Sequence, residues 1–160
     1  MEQTKLTIDT NTSHHSAAKL MSTAYITSSK GELVGEVRNR LMRSKTAYVT
    51  TNCLLVVDKK TAYVGVVSLS DLFQAAPETP IEKLIIDFPI IHPNTDQERI
   101  AYLALEHSVP ILPVVDKLGN LLGIIDEKTI LSVTYWELEE DLMRFSGVLS
   151  HRKNRTRAVD

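Results

Sequence analysis

The run Gly65-Val66-Val67-Ser68-Leu69-Ser70-Asp71 sets a hydroxyl three positions ahead of a carboxylate, at what reads as a strand-to-helix junction. Ala62–Val67 has strand character, and a helix should open near Ser68 or Leu69 and end before Pro77. A serine at that point lies beside backbone N–H groups that have no intrahelical partner. These groups and the helix dipole favour phosphate. Asp71, one turn on, points into the same cleft, where a carboxylate can accept hydrogen bonds from a ribose diol. Gly65 lets other groups approach the backbone closely. The plainer alternative is that Ser68 only caps the helix and Asp71 is a favourable charge in its first turn.

The elements around this run occur twice. Leu54–Leu72 reads LLVVDKKTAYVGVVSLSDL and Leu112–Ile130 reads LPVVDKLGNLLGIIDEKTI. Asp58 and Asp116, like Gly65 and Gly123, are 58 residues apart. Such a repeat implies two copies of one supersecondary unit, packed face to face with a binding site between them. In the first unit, Ala24–Thr27 can form a short strand. Ser29 and Glu32 form a capping-box pattern before a helix carrying Leu33, Val37 and Leu41. Arg38, Arg40 and Arg43 lie on its other faces, in solvent. Strands Cys53–Val57 and Ala62–Val67 follow. In the second unit the order recurs: a strand at Pro89–His92, a capping box at Thr95–Glu98, a helix with Ile100, Leu103 and Ala104, then strands Ile111–Val115 and Leu121–Ile125. A last helix should run from about Lys128 towards Phe145 and carries Trp136, Glu137, Glu139, Glu140 and Asp141. The first unit holds six extra residues around Ser44–Thr51. The domain plan is a flexible arm over 1–16, units over 17–79 and 80–136, a helical extension over 137–149 and a basic tail over 150–160.

Composition narrows the function. At 160 residues and a net charge of −2, the chain suits a compact soluble protein, and nucleic acid is not favoured as a partner. The single cysteine, Cys53, lies in an apolar strand and reads as a buried core thiol, which excludes an internal disulfide and fits a reducing compartment. No segment approaches the ~20 apolar residues of a membrane-spanning helix. His14 and His15, on the arm, lack the preorganised geometry of a metal site. Asp87, His92 and His107 are scattered, and no nucleophile elbow or Gly-x(4)-Gly-Lys loop occurs, so the chain reads as non-catalytic.

The carboxylates offer a second chemistry. Hard divalent cations take oxygen ligands, and Mg²⁺ keeps several waters beside one or two carboxylates. Asp96 and Glu98 open one helix and Glu140 with Asp141 lies on the last. The plainer alternatives are a capping box and a solvated helix face.

The order strand, helix, strand, strand, helix, twice over and with Val-Val-Asp-x(6)-Gly in each copy, resembles a tandem pair of CBS domains, a Bateman module. Gly65–Asp71 fits that family's G-h-h-[ST]-x-x-D pattern. VVSLSDL, Asn94–Glu98, LPVVDKLGNLLGII and the helix with Glu140-Asp141-Leu142 and Gly147-Val148 are similar to the cytosolic CBS pair of MgtE-type magnesium transporters. The six extra residues match that group too. The resemblance implies an α/β fold of two repeats about a pseudo-twofold axis, paired into a homodimer. Leu33, Val37, Leu41 and Leu103 are candidates for helix packing within or between modules. It implies an adenine nucleotide, such as ATP, held by Ser68 at phosphate and Asp71 at ribose. The base would rest against Phe88, Pro89 and Ile90, near Val109 and Pro110, with Val109 in the place of an aromatic. In the second copy Asp126 and Thr129 replace the serine and aspartate, so one nucleotide site is expected at most. The resemblance also implies Mg²⁺ at Asp96, Glu98, Glu140 and Asp141, although Ser108 and Thr129 stand where that group has further acids. The expected role is cytoplasmic ligand sensing that gates magnesium transport, through a membrane domain this chain does not contain. The alternative is a dimerisation scaffold with decayed sites.

Overall fold

The computed structural model describes residues 15–45, 52–58 and 61–155, with side chains described as far as Gly147. The chain is an α/β pair of repeats with two small sheets. In the first repeat, β1 (Thr27–Ser29) runs parallel to β2 (Cys53–Val57), which pairs antiparallel with β3 (Tyr63–Ser68). In the second, β4 (Leu112–Val115) and β5 (Leu121–Ile125) are antiparallel. β2 and β4 are continuous apolar runs because both their faces are covered. Each pair shifts register at the matching place, between Val56 and Val57 and between Val114 and Val115.

The strand expected at Pro89–His92 is a single bridge, Ile91 to Val114. Pro89 and Pro93 supply no N–H to extend it. The first short strand forms at 27–29, three residues later than expected, although the Ile26 carbonyl still accepts from Leu55 N–H at 2.9 Å.

Both capping patterns work differently from the expectation. Helix α2 (Val34–Arg43), which follows a short α1 (Ala17–Leu20), has Leu33 as its N-cap, and Glu36 takes the Leu33 N–H at 2.9 Å. Glu32 instead closes the turn before it, accepting from Ser29 N–H at 2.6 Å and Ser28 Oγ at 2.8 Å and pairing with Arg40. Gly31, at φ +95°, makes that turn possible. Burial works to raise the Glu32 pKa, but hydrogen bonds from Arg40, Ser29 and Ser28 and the Arg40 charge outweigh it and hold the carboxyl below its ordinary value. Arg38 is not simply solvated either: it donates to the Phe73 carbonyl at 3.2 Å. In α4 (Gln97–His107) the cap is Asp96, which accepts from Arg99 N–H at 2.9 Å, while Thr95 takes the His92 N–H at 3.1 Å. A short 3₁₀ turn, Ile81–Leu84, follows α3 (Leu69–Gln74), and α5 (Glu127–Arg155) runs ten residues past Phe145.

The repeats exchange their leading segments. Ser22 and Ile124 trade two backbone hydrogen bonds of 2.8 and 3.0 Å, and Ala17 N–H reaches the Thr95 carbonyl at 2.7 Å. Ala17, Leu20 and Met21 therefore pack with Ile91, Ile100, Leu112 and Val133 of the second repeat. In return, Ile86 trades two bonds of 2.7 and 3.0 Å with Val66. Between the repeats, Tyr63 N–H donates to Gly119 O at 2.9 Å and Leu121 N–H to Thr61 O at 3.1 Å, around the bridge Ala62–Asn120. Positions 62 and 120 are equivalent in the 58-residue repeat, so this bridge lies on the pseudo-twofold axis. Cys53, Leu55, Val66, Ile111 and Ile124 form a core shared by both halves. Of the residues expected to pack helix faces, Val37 and Leu103 are buried inside their own repeats, Leu41 is half-buried and only Leu33 is exposed. Val37 and Leu103 are therefore unavailable to a second module.

Candidate nucleotide and cation sites

Ser68 ends β3 and caps α3, with its Oγ accepting from Ser70 N–H at 3.2 Å. Leu69 N–H is held by the Asn52 carbonyl at 3.0 Å. Two amides expected to be open to phosphate are thus already engaged, and a six-residue helix has little dipole. What Ser68 still offers an anion is its hydroxyl proton. Asp71 is exposed in the first turn of α3.

The close approach that Gly65 permits is made by the chain itself. A Cβ at Gly65 would lie 2.4 Å from Ile85 Cγ2 and 3.2 Å from the Ile86 carbonyl oxygen. The exchanged segment meets β3 at one antiparallel bridge, Ile86 to Val66, two residues before Ser68. Phe88 packs on the shared core, Pro89 is half-buried and Ile90 is exposed. Pro110 is half-buried beside Ile111 of that same core, whereas Val109 packs on the core of the second repeat.

Tyr63 belongs in this setting and escaped the sequence reading. Its hydroxyl is buried with no hydrogen-bond partner among the described residues, at the shared core on which Phe88 and Leu121 also pack. Burial pushes its pKa up, and the negative charges of Asp87 and a Cys53 thiolate would add to the effect, while the Phe88 backbone opposes it. The available signal was a departure from the repeat, since the equivalent position is Leu121.

In the second copy Asp126 caps α5, its Oδ1 accepting from Thr129 N–H at 2.8 Å. A carboxylate held there repels phosphate.

The four candidate cation ligands fall on two elements. Asp96 and Glu98, with Arg99 and Tyr102, line a shallow depression of about 380 Å³. The Arg99 guanidinium lies 5.1 Å from the Tyr102 ring centroid and puts positive charge beside those acids. On α5, Glu140 accepts from Arg144 at 2.5 Å and Asp141 is exposed. Among the described residues, no three His, Cys, Asp or Glu side chains gather as a metal site would require.

Residues 17–78 and 80–134 each match the CBS domain family. The chain belongs to that family, as a tandem CBS pair. Magnesium transporter MgtE of Thermus thermophilus is 34% identical over 133 residues, which cover 82% of the CBS pair and 30% of the transporter. MgtE of Enterococcus faecalis is 32% identical over 127 residues, 73% of the pair and 28% of the transporter. The CBS pair thus spans less than a third of these relatives. The crystal structure of the cytosolic domain of the Mg²⁺ channel MgtE in complex with ATP superposes with a TM-score of 0.70 at 34% identity, over 74% of the CBS pair and 48% of that chain. The soluble part of a magnesium transporter gives 0.72 at 26% identity, over 79% of the pair and 50% of that chain. Among the described residues, no helix is long and apolar enough to cross a membrane.

Proposed function

We propose that this CBS pair is a cytoplasmic regulatory module that binds an adenine nucleotide, Mg²⁺ or both, and transmits occupancy by moving its halves or its paired chains. The observation that carries the proposal is the intact Gly65–Asp71 motif at the end of β3, lying along the exchanged segment of the second repeat. Ser68 would donate its hydroxyl to phosphate and Asp71 would accept from ribose. Phe88, Pro89 and Ile90 would flank the base, with Pro110 nearby. An aliphatic Val109 stacks more weakly than an aromatic. A related domain binds ATP, which supports the same ligand class here.

Such a ligand touches both repeats, so it favours the relative placement that satisfies both; equal affinity for two placements would shift nothing. No phosphate-binding loop of the hydrolytic type is present, so nucleotide is sensed and left intact. Asp96, Glu98, Glu140 and Asp141 supply oxygen to Mg²⁺ only where a second chain or a transport domain brings further ligands. The likeness to MgtE supports a homodimer at the cytosolic face of such a domain.

The test is calorimetric titration of ATP with Mg²⁺ into the full chain. A single saturable site per chain is expected, with Ser68→Ala weakening it about tenfold, which is ~1.4 kcal/mol. Asp71→Ala should abolish the heat and leave the circular dichroism unchanged. No heat up to millimolar ATP overturns the nucleotide reading. It would favour a dimerisation scaffold, for which the locked Asp126 cap is the supporting observation.

A further inference from the structure

Helix α3, which carries Asp71, is six residues long and too short to hold itself in place. Leu72 is its one buried residue, with Leu69 and the C-cap Ala75 packed partly beside it. Such burial fixes the depth of a short helix more firmly than its tilt. The tilt is set at the ends. At the start, Ser68 Oγ accepts from Ser70 N–H, and Leu69 N–H reaches the Asn52 carbonyl. At the far end a helix leaves its last carbonyls without intrahelical donors. Here a guanidinium from α2 serves them: Arg38 Nη1 lies 3.2 Å from the Phe73 oxygen and 3.4 Å from the Ala75 oxygen.

Helix α2 also grips the chain just beyond α3. Its first two amides, Val34 and Gly35 N–H, donate to the Thr79 and Pro77 carbonyls at 2.9 and 2.8 Å. The approach is close, since a Cβ at Gly35 would lie 3.1 Å from Pro77 Cβ. Arg38, half-buried, is thus seated on a helix already fixed against the segment that follows α3. The second repeat has no counterpart. Counted from the N-caps Leu33 and Asp96, the matching position on α4 is the buried Ala101. The clamp therefore accompanies the copy that keeps Ser68 and Asp71, and is missing from the copy that reads Asp126 and Thr129.

We infer that Arg38 is a positioning residue for the nucleotide site: by holding the Phe73 and Ala75 carbonyls it fixes the tilt of α3, and so the direction in which Asp71 meets a ribose. Asp71 is exposed, so the backbone of α3 sets where its carboxylate stands. Arginine suits the task because its rigid guanidinium can serve both carbonyls in one geometry, which a lysine ammonium on a flexible stem does less well. The inference rests on the nucleotide reading above and adds to it the residue that aims its ribose contact.

The experiment is calorimetric titration of ATP and of 2′,3′-dideoxy-ATP, each with Mg²⁺, into the full chain and its variants Arg38→Ala and Arg38→Lys. Wild type should prefer ATP about tenfold, the worth of a hydrogen-bonded ribose diol. Arg38→Ala should bind ATP about tenfold more weakly and the dideoxy analogue as wild type does, so that the preference disappears. Arg38→Lys should recover part of it. Circular dichroism should stay native. If Arg38→Ala fails to fold, Arg38→Lys carries the comparison, with a preference between that of wild type and none. Equal weakening of both ligands would make Arg38 a general support of the fold and overturn the inference. A variant that keeps the full wild-type preference overturns it too, and leaves the nucleotide reading standing. A wild type that binds neither ligand overturns the nucleotide reading and the inference together. A wild type that binds both alike removes the ribose role of Asp71, and with it anything for Arg38 to aim.

Discussion

Gly65 and Gly123 occupy equivalent positions, yet their neighbours differ in stiffness. A Cβ at Gly65 meets β-branched Ile85 at 2.4 Å, whereas one at Gly123 meets the flexible Met21 thioether at 2.9 Å and the Ser22 carbonyl at 3.0 Å. Gly65→Ala should therefore cost more, about 2–3 kcal/mol in urea unfolding, and Gly123→Ala nearer 1. Tyr63→Phe removes a buried hydroxyl that has no partner among the described residues and should leave stability unchanged or raise it by up to ~1 kcal/mol. Glu32 supplies a pH signature. Its folded pKa is lowered, so its contribution is intact at neutral pH and fades as pH falls from the ordinary 4.5 through the lower folded value. Glu32→Gln should flatten that acid limb of a stability–pH profile. At this scale the sequence marked where Ser68 and Asp71 stand, at the end of β3 and in the first turn of α3, because the motif fixes types and spacing together. It could not place Tyr63, since which strand positions face the other repeat depends on how the repeats meet. Nor could it show that Leu69 N–H is committed to Asn52, a contact made 17 residues away.

The elements were legible where one signal dominated. β2 and β5 form over the residues that their apolar runs mark, Cys53–Val57 and Leu121–Ile125. Boundaries moved where neighbours competed. Thr95 and Asp96 can both cap, and Asp96 does so because Thr95 is taken by His92 N–H. Asp96→Ala and Asp126→Ala should each cost about 1 kcal/mol in thermal or urea unfolding, whatever either does to cation binding. α5 outruns its expected end because the sequence to Arg155 contains no proline and its lone Gly147 does not stop the helix. Apolar side chains on both sides of α5, with Ile130 and Val133 buried and Leu131 and Tyr135 exposed, blur the one-sided periodicity by which a surface helix is normally recognised.

On the scale of the whole molecule, units drawn in sequence order do not coincide with units of packing. Residues 80–155 expressed alone would lack Ala17, Met21 and Ser22, leaving β5 paired with β4 on one edge only and Ile124 without its two backbone bonds to Ser22. That fragment should give a poorly dispersed NMR spectrum, and a peptide spanning residues 15–26 should sharpen it. A well-dispersed monomeric spectrum without the peptide would show that the exchange is dispensable. The same exchange bears on ancestry. A chain carrying only one such unit would find its leading segment a berth only on another copy, and two copies would meet across the bridge that Ala62 and Asn120 now form. The present protein has the form of such a swapped pair carried on one chain. On one chain the halves need not match, and Ser68–Asp71 against Asp126–Thr129 is a difference that a symmetric pair of identical chains cannot carry.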